Sequence, residues 1–228
     1  MRSTTEQGYS LWFLLVVATM LTSLLVSNVV ASKVVQMGPF IISGAEFIFP
    51  ISYIVNDVLT EVYGYRRSRI VIWIGFGANL LMVLAIQGAI ALPPAPFWEH
   101  QEAYATVLGA TPRLLVASLC AYLVGEFINA YVLAKMKILT KGRWLWTRTI
   151  GSTFVGQMFD TAIFSIVAFW GVIPLRELGI MILTVWFIKT AYEAFATPLT
   201  YAIVNFLKRR EGVDVYDYDT RFNPFVLE

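Results

Sequence analysis

Five acidic side chains, Asp57, Glu61, Glu126, Asp160 and Glu193, fall inside stretches that are otherwise apolar. A charged group near the middle of a bilayer costs roughly 3 kcal/mol on insertion scales, so such groups face a bundle interior and mark a pathway or binding site. Each has polar company at helical spacing. Tyr53, Asp57 and Glu61 share one stripe and Ser52, Asn56 and Thr60 the next, while Ile51, Val55, Val58 and Val62 form an opposite stripe expected to face lipid. Glu126 and Asn129 share a stripe with Ser118 and Tyr122; Asp160 shares a face with Thr153, Gln157, Thr161 and Ser165. Trp186, Lys189 and Glu193 line up with Thr197 and Tyr201. Lys189 and Glu193 are four apart, so they either neutralise each other within one helix or serve a ligand. Acid and base catalysis by Asp57 with Glu61, or by Asp160, is conceivable chemistry, but no HExxH, GxSxG or metal-spaced histidines accompany it.

The elements that must carry these groups are transmembrane helices. The chain has 228 residues, 58% hydrophobic and 14% charged, with a mean hydropathy of +0.68, against about 25% charged in soluble domains. With ~20 apolar residues per crossing, the length allows about six spans and no second soluble domain. A GxxxxGK[ST] phosphate loop is absent, which argues against an intrinsic ATP-driven pump. The lone Cys120 reads as packing, and the lone His100 gives no zinc site; no cofactor is expected. A net charge of +2 is too small to suggest nucleic acid binding.

The fold class expected is an all-α, polytopic integral membrane protein forming one transmembrane domain. Its spans are placed at 11–31, 44–63, 70–92, 114–136, 150–173 and 178–207, with a cytosolic tail at 208–228. The first span carries a small-residue stripe, Thr19, Ser23, Ser27 and Ala31, with Asn28 and Lys33 near its far end. A Gly38-Pro39 turn leads to the second, where Pro50 is expected to kink or break the helix and free a carbonyl near Glu46. Asn79 and Gln87 read as interhelical hydrogen bonds. The run Lys135, Lys137, Lys141, Arg143 and Arg148 reads as a topology determinant. Because loops two and four and the C-terminus hold most of the Lys and Arg, both termini are expected in the cytoplasm. Spans two and five would then be counterparts in an inverted 3+3 repeat, with binding at the midplane between halves.

The run FPISYIVNDVLTEVYGYRRSR, the early SNVVASK, the later GSTFVGQMFDTAIFSIVAF and the tail EGVDVYDYDTRFNPF together resemble the queuosine precursor transporters, also called the vitamin uptake transporter family. The resemblance covers essentially the whole chain. It implies a six-helix importer in the prokaryotic inner membrane for 7-deazaguanines such as 7-cyano-7-deazaguanine (preQ0), with related members taking preQ1 or queuine. Such a ligand presents adjacent N-H donors that a carboxylate accepts in pairs, and a flat face that an aromatic ring covers. The substrate-binding set expected is Asn28, Phe49, Tyr53, Asn56, Asp57, Glu61, Glu126, Asn129, Gln157, Asp160, Trp186, Lys189 and Glu193, in contact with the small molecule within the lipid bilayer. A homo-oligomer is left open. So is an energy-coupling partner, since the substrate-binding subunit of an energy-coupling-factor transporter also has about six helices and docks through small-residue stripes such as that of the first span.

Overall fold

The computed structural model describes residues 9–37, 40–109 and 112–226. The Gly38-Pro39 turn lies outside them. The chain runs α1 (Leu11–Val30), β1 (Val34–Met37), β2 (Phe40–Ser43), a single 3-10 turn (Gly44–Phe47), α2 (Phe49–Tyr63), α3 (Tyr65–Ala91), α4 (Gln101–Leu108), α5 (Pro112–Leu139), α6 (Leu145–Phe169) and α7 (Leu175–Glu211). The stretches holding α1, α3, α5, α6 and α7 are long and apolar enough to cross a membrane. Large apolar side chains such as Leu81, Leu84, Leu183, Phe187 and Phe195 stand exposed on α3 and α7, as a lipid-facing surface requires. Cys120 faces outward too, so it does not pack inside the bundle as the apolar run had suggested.

The second crossing departs most from expectation. Pro50 sits in the first turn of α2, where its missing N-H costs nothing, so it starts the helix instead of kinking it. At 15 residues, α2 is about 22 Å long, short of a ~30 Å hydrocarbon core. The 3-10 turn ahead of it packs against the end of α1. Gly44 makes that possible: its N-H donates to the Lys33 carbonyl at 2.7 Å, and a Cβ there would come within 2.7 Å of the Val30 carbonyl oxygen. Thirteen of the 15 residues of α2 are buried. The stripe expected to meet lipid is mostly inside: Val55, Val58 and Val62 are buried and pack with Phe13, Met20, Val204 and Leu207 of α1 and α7, leaving Ile51 exposed. Likewise Ser23 and Ser27 of the α1 stripe are buried within the bundle, and Thr19 is exposed.

Arg66, Arg67 and Arg69 occupy no loop. Gly64, with φ +84°, is the sole residue between α2 and α3, and the arginines open α3. Three cations at a helix N-terminus oppose its dipole. The C-terminal tail compensates: the Asp217 carboxylate accepts the Tyr65 N-H at 3.0 and 3.2 Å. Arg69 then donates to the Arg221 and Asn223 carbonyls, both at 2.8 Å, and Trp73 to the Pro224 carbonyl at 2.8 Å. Residues 212–226 are thus a strap across the Lys/Arg-rich end. Losing a helix cap costs about 0.5–2 kcal/mol. Asp217→Ala should therefore lower the melting temperature in detergent and expose the tail to protease, whereas Asp219→Ala, at an exposed site, should do neither.

Candidate functional site

Three tiers stack along α2. At the end away from the arginines, the hairpin, the 3-10 turn and helices α1, α3, α5, α6 and α7 enclose a cavity of about 310 Å³. Its polar wall holds the Asp160–Lys189 ion pair at 2.8 Å and the Asn28 amide, which donates to Asn79 Oδ1 at 3.1 Å. Thr161 contributes a buried hydroxyl with no hydrogen-bond partner among the described residues. Phe49 and Phe164 give aromatic faces, and the Lys189 ammonium lies 5.7 Å from the ring centres of both Phe49 and Tyr53. Lys189 thus pairs across to α6 and not with Glu193 on its own helix.

The second tier lies one to two turns deeper. Asn56 donates to Glu126, and Asn129 donates to Asp57 at 2.7 Å; Gln157 and Glu193 are buried beside them. Close helix approach sets this geometry. A Cβ on Gly125 would lie 2.7 Å from Asp160 Cβ, and one on Gly156 would lie 2.8 Å from Asn129 Cβ, so α5 and α6 meet nearly backbone to backbone. Over-packing of this kind costs about 1–3 kcal/mol. Gly125→Val should lower both melting temperature and ligand affinity by pushing Asp160 off its place; Gly77→Ala, with open space around it, should change neither.

The third tier closes the Lys/Arg-rich end. Glu61 is fully buried, and Arg148 grips it with two bonds, Nε to Oε2 at 2.7 Å and Nη2 to Oε1 at 2.9 Å. Lys208 Nζ reaches Oε1 at 2.6 Å, and Lys137 Nζ stands 3.6 Å from it. Lys137 also donates to Asp214 at 2.6 Å and to the Val215 carbonyl at 2.7 Å. Burial pushes the Asp214 carboxyl up, but hydrogen bonds from Lys137 and Lys208 outweigh it and hold the group below its ordinary range. Lys137 and Arg148, taken from sequence as topology signals, are therefore structural partners of Glu61.

Of the residues singled out by sequence, Asn28, Phe49, Asp160 and Lys189 line the cavity. Asn56, Asp57, Glu126, Asn129, Gln157 and Glu193 gather below it, with Tyr53 against Phe49. Glu61 belongs to the ionic tier. Trp186 turns away, its indole N-H on the Phe154 carbonyl at 2.8 Å. Asn79, Tyr122, Thr161 and Ser165 join the cavity, together with the ring of Phe164; the polar spacing of the first four was visible, but spacing alone does not say which polar groups reach a void.

Residues 43–203 match the family model described as "Putative vitamin uptake transporter". The chain belongs to the vitamin uptake transporter family. Among curated proteins, it is 34% identical over 151 residues to the "Probable queuosine precursor transporter" of Bacillus subtilis (strain 168), covering 66% of each chain. It is 26% identical over 161 residues to the "Queuosine precursor transporter" of Escherichia coli (strain K12), covering 71% of this chain and 67% of that one. The match thus spans just under two thirds of the first relative's length. No solved structure matches the chain. In this member of the vitamin uptake transporter family the matched region contains the cavity tier from Ser43 onward and the whole polar tier, while α1 and the strap lie outside it.

Proposed function

We propose that this chain imports a 7-deazaguanine precursor of queuosine, such as preQ0, preQ1 or queuine, across the inner membrane of a prokaryotic cell. The Lys/Arg-rich end, with both termini, faces the cytoplasm and the cavity faces outward. The observation that carries this reading is the cavity wall, where a carboxylate, an ammonium and an amide stand beside aromatic rings. Asp160 accepts the heterocycle's paired N-H groups, Lys189 donates to its carbonyl, and Phe49 or Phe164 covers its face. A volume of about 310 Å³ lies at the small end of the ~300–1,000 Å³ of ligand pockets, which suits one bicyclic base. The names of the two relatives support the same substrate class.

Transport requires the strap and the Glu61 cluster to part while the cavity closes, as in alternating access. Ser23 and Ser27 are spent inside the bundle, so the α1 stripe offers little to a docking coupling subunit. The test is uptake of labelled preQ0, preQ1, queuine and guanine into a host that makes no queuosine and has no coupling ATPase. Saturable uptake of a deazaguanine over guanine supports the reading; uptake of none of the four overturns it.

A further inference from the structure

Between the cavity and the ionic cluster, buried oxygens collect without donors among the described residues. They are Asn56 Oδ1, Asp57 Oδ2, Asn129 Oδ1, Gln157 Oε1 and Glu193 Oε1, on side chains no more than 4% exposed. The amide orientations follow from their neighbours. Asn56 and Asn129 each commit the NH2 group to a carboxylate, Glu126 and Asp57 respectively, which leaves the carbonyl oxygens as the free ends. Gly156 brings α6 against Asn129 and so sets Gln157 at the same level, while Asp57 and Glu193 each lie one turn beyond a facing pair, Tyr53 of α2 and Lys189 of α7, whose ring and ammonium are 5.7 Å apart. Asp57, Glu126 and Glu193 form no salt bridge among the described residues.

One buried acceptor without a donor costs about 1–3 kcal/mol. Five in one layer, on four different helices, call for positive charge delivered to several oxygens at once. A proton on one carboxyl, donated onward to a neighbour, serves two of the five oxygens and leaves three unserved. Among the described residues no group of three His, Cys, Asp or Glu is arranged to hold a metal ion, which argues against a divalent or transition metal. None of the five side chains lines the cavity, so the occupant is small. A hard, singly charged ion takes neutral carbonyl and carboxylate oxygens together.

We propose that this layer binds one sodium ion, held by the carboxylates of Asp57 and Glu193 and the side-chain carbonyls of Asn56, Asn129 and Gln157. Eight helical steps from Phe49 to Asp57 place it about 12 Å below the mouth of α2; on the import reading proposed above, that is between substrate and exit, where an ion moving down its gradient draws the bundle through its cycle.

Purified full-length protein in detergent tests the site without any substrate, so the result is independent of what is transported. Melting temperature is measured in NaCl, KCl and choline chloride at equal ionic strength, together with binding of radiolabelled Na+. Expected are a saturable rise in melting temperature specific to Na+ and bound label. Gln157→Met replaces an unpartnered amide by an apolar group of similar length. It should melt at or above wild type in choline chloride, lose the Na+ rise, and bind label at least about tenfold more weakly. Equal melting in all three salts with no bound label overturns the proposal. So does melting that follows pH alone, which would assign the layer to protons. Should Gln157→Met not fold, the wild-type measurements decide by themselves.

Discussion

Glu61→Gln yields little folded protein. The substitution keeps the size and removes the charge that Arg148, Lys137 and Lys208 share, leaving Arg148, 2% exposed, with no anion among the described residues and Lys137 and Lys208 with Asp214 alone. Breaking a buried pair from one side costs about 3–5 kcal/mol, a large fraction of the 5–15 kcal/mol that holds a typical domain together. The check is the yield of monodisperse protein and its melting temperature. Adding Arg148→Met should recover part of the loss, because the most tightly held stranded cation is then gone. Whatever folds should bind ligand with wild-type affinity, since Glu61 lies three turns below the cavity. A near-normal melting temperature for Glu61→Gln would remove the cluster from the account of stability.

Asp160→Asn leaves the fold in place and weakens ligand binding about tenfold to a hundredfold. A charge-assisted hydrogen bond is worth roughly 1.5–3 kcal/mol, and each 1.4 kcal/mol is a factor of ten. The pair with Lys189 is part-exposed, at 14% and 16%, so its loss weighs less on stability than that of Glu61. Melting temperature separates the effects: a stranded Lys189 ammonium lowers stability and affinity together, whereas a lost ligand contact lowers affinity alone. Affinity by equilibrium binding and melting temperature on the same samples give both readings. Unchanged affinity in Asp160→Asn would take the residue out of the site.

The five long apolar helices were legible because hydropathy and length report them directly. The environment of α2 was not. Its Val55, Val58 and Val62 look the same whether a helix faces lipid or the packed interior of a bundle, since both media are apolar. Lys189 and Glu193 stand at the spacing of an intrahelical pair, yet Asp160 on the neighbouring helix wins the ammonium. Glu61 read as a ligand group because its partners are remote, with Arg148 lying 87 positions away. Asn28, Phe49, Asp160 and Lys189 were recoverable as cavity residues because polar groups in apolar runs are costly wherever they occur. Asp217 gave no signal at all: an acid in an acidic, aromatic tail looks solvated until the helix it caps, 152 positions earlier, is in view.

That separation bears on how the protein is made. Synthesis runs from the N-terminus, so α2 and α3 enter the membrane before Arg148 exists to meet Glu61 and long before Asp217 exists to cap Tyr65. The junction at Gly64 stays unfinished throughout translation and is sealed only when the strap emerges. A premature stop after α7, or a bulky fusion that keeps residues 212–226 from folding back, is therefore a lesion of the first third of the chain, and a quality-control protease would find its entry there.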